Sequence, residues 1–229
     1  MTPTHTETQT TKKYKVLIVD DHPIIRQGLR ELIDQEPDLE VCGEAENAIE
    51  AFKAIRTLNP DVALVDISLN KDMSGFDLIK DAKYQYPNLP TLVLSMHDEC
   101  IFAERVLRAG GKGYVMKEEA TEKVLIAIRR VLEGGIYLSD RVTSKMLAKI
   151  SNARTAPEPS GVEILSDREF EVFELIGQGL GTQKIAARLN LSVKTVEAHR
   201  MHIREKLKLK DSTELLQYAI QWAQNEKMR

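Results

Sequence analysis

Five short runs rich in aliphatic and β-branched residues, KVLIVD, LEVCGE, DVALVDI, TLVLSM and GYVMK, recur between Lys15 and about Gly134, and each is followed by an amphipathic stretch. Those stretches are Ile24–Ile33, Ala48–Leu58, Phe76–Tyr86, Cys100–Ala109 and Thr121–Leu132. No other feature constrains the fold as much. A strand that is apolar on both faces has to be covered on both faces, and a strand reached through a helix runs parallel to the one before it. The alternation therefore predicts an α/β fold: a doubly wound five-stranded parallel sheet with helices on either side. In such a sheet, functional groups collect beyond the carboxyl ends of the strands.

The pattern then changes. Ser139–Ile150 reads as a short helix capped by Ser139 or Asp140, and the segment SNARTAPEPSG has the proline, serine and glycine content of a tether. From Ser166 onward the periodicity is helical throughout: Asp167–Ile176, Gln183–Leu189, Val193–Leu207 and Thr213–Trp222, with caps expected at Ser166, Thr182, Ser192 and Ser212. This predicts a second, all-α, four-helix domain. The divisions expected are a disordered polar tail at 1–13, an α/β domain at 14–135, a linker with its short helix at 136–162, and the helical domain at 163–229.

Composition enters through charge. Between Thr182 and Lys210 eight lysines and arginines face two glutamates, a net +6, which leaves the rest of a chain of overall charge −3 at −9. A local concentration of this kind suits a polyanion such as nucleic acid. The apolar runs are too short to cross a bilayer, and the threonine-rich start MTPTHTETQTTKK lacks the apolar core of a secretory signal, so a cytoplasmic protein without membrane contact is expected. Cys42 and Cys100 have no metal-like spacing and give no reason to expect a disulfide.

Mapped onto the sheet, Asp20 and Asp21 end the first strand, Asp66 the third, Ser95 the fourth and Lys117 the fifth. Parallel strands put all of these on one rim. Clustered carboxylates raise one another's proton affinity unless a hard cation neutralises them, and Mg²⁺ suits such oxygen donors. Phosphoryl transfer needs an in-line nucleophile and positive charge around the equatorial oxygens. Asp66 can supply the first, Lys117 and Mg²⁺ the second, and the Ser95 hydroxyl can donate to a phosphate oxygen. Each residue alone has an ordinary explanation: Asp21 as the cap of a helix begun by Pro23, Lys117 as a solvated lysine, Ser95 as a strand-end hydroxyl. Asp66 fits that view least, because a carboxylate directly after VALV requires partners.

In the helical domain, Val196, Ile203 and Leu207 share one stripe of Val193–Leu207, with Val193 beside it. Lys194, Glu197, Ala198, Met201, Glu205 and Lys208 lie opposite, Arg200 and Arg204 along one flank, and Thr195, His199 and His202 along the other. The preceding helix, which carries Lys184, ends only an Asn-Leu-Ser segment earlier, which is helix-turn-helix spacing. The second helix is expected in the major groove, its Ser192-capped N-terminus and flanking cations on phosphates, with Lys194, Glu197 and Ala198 facing the bases. His199 and His202 lack the further ligands of a metal site, and phosphate contact or packing is expected of them.

The DD pair at 20–21, LVDIS around Asp66, LSMH around Ser95 and KGYVMK ending in Lys117 together resemble the receiver domain of two-component response regulators, which has a flavodoxin-like fold. LSDREFEVFELIGQGLGTQKIAARLNLSVKTVEAHRMHIREKLKL resembles the DNA-binding domain shared by LuxR-type and NarL/FixJ-type regulators. The resemblance implies that Asp66 takes a phosphoryl group from a sensor histidine kinase, that the Ser68 backbone carbonyl completes the Mg²⁺ site, and that Tyr114 is an aromatic switch moving inward as Ser95 closes on the phosphate. It further implies a homodimer on double-stranded DNA formed partly through the last helix, where Tyr218 and Trp222 serve either that contact or the core. After Asp66, where receivers generally carry Met-Pro, this chain has SLNKDMSG, and an altered phosphoryl lifetime is expected. An aspartyl-phosphate phosphatase shares the chemistry, but Ser68 is a poor general acid and there is no cap domain, so no enzyme beyond self-phosphorylation and autodephosphorylation is expected. A LuxR-type sensor of small molecules would lack the carboxylates, and a phosphorylation-independent receiver remains the alternative.

Overall fold

The computed structural model describes residues 13–69, 73–119, 122–151 and 161–227. The expected tail, most of the tether, and the centre of the SLNKDMSG loop at 70–72 fall outside the described residues.

The first half alternates strand and helix: β1 (Tyr14–Val19), α1 (Pro23–Asp34), β2 (Leu39–Ala45), α2 (Ala48–Leu58), β3 (Val62–Asp66), α3 (Gly75–Gln85), β4 (Thr91–Ser95), α4 (Glu99–Ala109), β5 (Gly113–Met116) and α5 (Glu122–Leu132). The strands form one parallel sheet in the order β2-β1-β3-β4-β5, so the order in which strands are added across the sheet switches direction, with the switch point between β1 and β3. The two-residue period of the strands sorts their side chains. Val16, Ile18, Leu64, Leu92 and Leu94 pack with Leu29 and Ile33 of α1 and Val124, Ile128 and Val131 of α5. Leu17, Val19, Ala63, Val65 and Val93 pack with Ala51 and Ile55 of α2, Ile79 of α3, and Phe102 and Val106 of α4. The helices therefore divide two and three between the faces, as expected of a doubly wound sheet.

Helix starts follow local chemistry. Asn47 and Ser74 cap α2 and α3 by accepting from the amides of Glu50 and Asp77. Gly75 is required by close approach: a Cβ there would lie 2.4 Å from Ile67 Cα and 2.5 Å from the Asp66 carbonyl oxygen, so only glycine lets α3 begin directly against the end of β3. Asp21 does not cap α1; the residue before Pro23 is His22, and it makes no side-chain cap.

The second half contains α6 (Asp140–Ser151), a short 3-10 turn at Gly161–Ile164, then α7 (Asp167–Gly177), α8 (Thr182–Arg188), α9 (Val193–Leu207) and α10 (Ser212–Lys227). Ser139 caps α6 through Val142, Ser166 builds a full capping box with Glu169 on α7, and Ser192 caps α9 through Thr195. Two expected caps are corrected. Thr182 lies inside α8 and its hydroxyl donates to Glu197 (2.8 Å), because Gly181 takes the cap position. Asp211, not Ser212, accepts from the amides of Thr213 and Glu214 at the start of α10.

The two halves touch. Phe102 of α4 meets Phe170 of α7 edge-on at 5.0 Å, and the buried apolar cluster on the α2-α3-α4 face runs through this contact into the helical half. Arg105, 9% exposed, sits over the Phe170 ring and donates to the Val162 carbonyl and to Asp167, which Lys80 of α3 also reaches. Trp222 packs on Phe170 (5.3 Å) and Phe173 (5.6 Å), and Tyr218 on Phe173 (5.9 Å), so both ring systems lie half-buried against the core.

Candidate phosphorylation site and nucleic-acid interface

Asp20 and Asp66 lie at the ends of neighbouring central strands, each 2% exposed. Lys117, just past β5, reaches across the rim and places Nζ 2.6 Å from Asp20 Oδ2 and 2.7 Å from Asp66 Oδ2. The other Asp66 oxygen accepts from the Ser68 amide (2.9 Å), a local turn that aims the carboxylate out of the sheet. Burial raises the Asp66 pKa and outweighs the opposing pull of Lys117 and the Ser68 amide. For Lys117 burial pushes downward, but the two carboxylates prevail and keep its pKa raised, so the ammonium stays charged.

Carboxylate oxygens of Asp20, Asp21 and Asp66 and a ring nitrogen of His22 lie within 4.8 Å of one another. Three clustered hard oxygen donors fit Mg²⁺, an ion that keeps several waters of its own. His22 has no role that its sequence setting announces; its Nδ1 stands 2.8 Å from Asp21 Oδ1 and 3.1 Å from Asp20 Oδ1. The adjoining DD is the only signal for it.

Ser95 is fully buried at the end of β4, and its hydroxyl accepts from the His97 amide (3.2 Å). Tyr114 is 1% exposed and donates to the His97 carbonyl (2.9 Å), so the ring already occupies the inward position expected of it only after phosphorylation. Burial pushes the Tyr114 hydroxyl well above the ordinary phenol value. His97, within LSMH, carries no signal of a task in the sequence. Its Nε2 is 3.0 Å from Ser68 Oγ and its Nδ1 3.2 Å from Glu174 of α7.

On α9, Val196 and Ile203 are buried while Lys194, Glu197, Ala198 and Met201 are exposed on the outer face, as is Lys184 on α8. Thr195, Arg200 and Arg204 are half-buried, and Arg204 Nε is buried without a hydrogen-bond partner. His199 is also half-buried, and burial lowers its pKa, which leaves it uncharged at neutral pH and a poor electrostatic partner for phosphate. Lys206 is spent internally, 2.6 Å from Glu169 of α7.

Residues 16–129 match the response regulator receiver domain, and residues 163–219 match the luxR family of bacterial regulatory proteins. The oxygen regulatory protein NreC of Staphylococcus aureus (strain JH9) is 37% identical over 209 residues, which cover 90% of this chain and 96% of that protein. This chain is a response regulator. Its two halves are those of a transcriptional regulator of two-component systems with a LuxR-type DNA-binding domain. The RcsB response regulator of Salmonella typhimurium is similar in structure, with a TM-score of 0.71 and 29% identity over 92% of this chain and 98% of RcsB. RcsB of Salmonella enterica serovar Typhimurium, bound to promoter rprA in the presence of the phosphomimetic BeF₃⁻, gives a TM-score of 0.67 and 29% identity over 91% and 99% of the two chains. No helix among the described residues of this response regulator is long and apolar enough to cross a membrane.

Proposed function

We propose that Asp66 accepts a phosphoryl group from the phosphohistidine of a sensor histidine kinase, and that the resulting aspartyl phosphate controls binding to double-stranded DNA. The observation that carries this reading is the buried ammonium of Lys117 shared by Asp20 and Asp66. We assign residues 14–135 to the receiver, 136–162 to the linker and 163–229 to the DNA-binding domain, and place the regulator in the cytoplasm, where its DNA is.

An Asp66 oxygen attacks phosphorus in line: the O–P bond forms as the donor's N–P bond breaks, and the imidazole leaves with that bond's electron pair. Lys117 pairs with both carboxylates and faces the growing negative charge. Ser95 turns its hydroxyl toward a phosphoryl oxygen of the product. Asp20, Asp21, Asp66 and the Ser68 carbonyl would hold Mg²⁺, which when bound adds positive charge beside the phosphoryl oxygens. The chemistry ends with the chain's own phosphoryl group and its hydrolysis, with no substrate turned over.

At the other end, α9 enters the major groove with Lys194, Glu197 and Ala198 toward the bases, while Lys184, Thr195, His199, Arg200 and Arg204 border the phosphates. The lowered pKa of His199 limits it to a neutral hydrogen bond there. A homodimer would place two such helices on paired half-sites. Intact-protein mass after incubation with a small-molecule phosphodonor and Mg²⁺ tests the receiver: one phosphoryl group on the wild type and none on Asp66→Asn is expected. No adduct on a folded wild type would instead mean a receiver that works without phosphorylation. Fluorescence anisotropy against salt tests the DNA face: Lys194→Ala with Arg200→Ala should weaken binding and flatten the logarithmic salt slope by about 0.9 for each phosphate no longer neutralised.

A further inference from the structure

His97 is held from four sides, and one of the holders, Ser68, is itself bonded to Asp66. Its amide donates to Ser95 Oγ (3.2 Å), its carbonyl accepts from the Tyr114 hydroxyl (2.9 Å), and its Nε2 lies 3.0 Å from the hydroxyl of Ser68, whose own amide is on Asp66. The fourth holder belongs to the DNA-binding half: Glu174 of α7, 3.2 Å from Nδ1. The imidazole also stacks on Phe102 at 4.7 Å, and Phe102 meets Phe170 of α7 edge-on. One ring therefore adjoins both the phosphoacceptor loop and the aromatic contact that joins the two halves.

We propose that His97 is the positioning residue through which the state of Asp66 and the docking of α7 govern each other. The inference rests on the reading of Asp66 as phosphoacceptor. A phosphoryl group there draws the Ser95 hydroxyl toward its oxygens, which takes the acceptor from the His97 amide. It also brings new acceptor oxygens within reach of Ser68, which loosens the hold on Nε2. The loop that carries His97 is then free to shift, and Glu174 and the Phe102–Phe170 contact lose the arrangement that seats α7. Beside the ring lies a cavity of about 270 Å³ lined by Ser68, His97 and Phe102 of the receiver and by Phe170 and Glu174 of α7, which gives the ring room to move. The outer face of α9 is exposed in the docked arrangement, so this link acts on how the two domains are held and does not need to uncover the recognition helix.

Two sites that bias one element are coupled by equal factors in both directions, here an expected change of roughly 5- to 150-fold. The test uses the full chain as wild type, Glu174→Gln and His97→Ala, with beryllofluoride and Mg²⁺ as the phosphoryl mimic. Fluorine NMR measures occupancy and affinity of the mimic, and hydrogen exchange measures protection of Asp167–Gly177. In the wild type, mimic binding should speed exchange in α7. In both variants α7 should exchange faster without the mimic, show no further change with it, and bind the mimic more tightly by the factor by which docking is weakened. A residue that merely props the interface would loosen α7 and leave mimic affinity untouched, and that result overturns the proposal. So does a wild-type response of α7 in both variants, or mimic bound to the wild type with no change in α7. A folded wild type that takes up no mimic overturns the phosphoacceptor reading itself, and the inference with it.

Discussion

Replacing Lys117 by methionine keeps most of the side chain's length and removes its charge. In the structure that ammonium lies 2.6 and 2.7 Å from two carboxylates, and the three side chains are 4%, 3% and 1% exposed. Without it, Asp20 and Asp66 remain buried beside Asp21 with the local neutralising charge gone. Removing one partner of a buried ion pair costs about 3–5 kcal/mol, because the charge left behind is desolvated and unpaired. For a domain of this size each kcal/mol moves the melting temperature by roughly 3–6 °C, so the receiver should melt on the order of 10–25 °C lower. Thermal unfolding followed by circular dichroism, with a chelator present, reads this directly. Two internal controls follow from the same geometry. Adding Asp20→Asn to Lys117→Met removes one of the two orphaned carboxylates and should restore a good part of the stability, a coupling that a double-mutant cycle measures. Mg²⁺ should stabilise Lys117→Met in proportion to the logarithm of its concentration over its Kd, since it binds only the folded rim. A Lys117→Met protein within about 0.5 kcal/mol of wild type in chelator, or a destabilisation that Asp20→Asn leaves untouched, would refute the reasoning.

Three further outcomes are expected. Arg105→Met removes the donor that ties α4 to the Val162 carbonyl, breaks the ion pair with Asp167 and takes a cation from the Phe170 face, which weakens docking by about 2–4 kcal/mol, so small-angle scattering should show a larger radius of gyration; an unchanged radius refutes the contact's role. Trp222→Ala should destabilise the DNA-binding domain by about 2–4 kcal/mol in urea unfolding, and a loss of dimerisation without loss of stability would contradict its place against Phe170 and Phe173. For Glu169, burial pushes the pKa up, but Lys206 and the Ser166 amide and hydroxyl outweigh it and hold the folded value below the ordinary 4.5. Its stabilisation is therefore present above about pH 4.5 and is lost as pH falls through the lower, folded value, so Glu169→Gln should flatten that acid limb of the stability profile, and parallel wild-type and variant curves would exclude the effect.

Much of the site is legible because parallel strands share a rim. Once VALVD is recognised as a strand apolar on both faces, the positions of Asp20, Asp66, Ser95 and Lys117 along the chain imply their proximity. Ser166 and Ser192 are equally readable, since a cap acts within three residues of itself. The caps expected at Thr182 and Ser212 show the limit of that rule: a neighbouring Gly181 or Asp211 competes for the same position, and the backbone decides between them. The roles of His22 and His97 are not legible, because nothing in their immediate sequence distinguishes a histidine at a carboxylate cluster from one in an ordinary loop.

The two folds, the acidic rim and the basic recognition helix follow from the order of residues alone, because hydrophobic period, strand ends and local charge are written into consecutive residues. How the halves meet comes from packing: Trp222 and Tyr218 lie half-buried against Phe170 and Phe173, Arg105 and Asp167 join across the interface, and His97 stands between Ser68 and Glu174. The amphipathic patterns require each half to cover its own apolar face, and many mutual orientations satisfy that demand. Contacts between residues far apart in the chain exist only once one orientation has been chosen by packing.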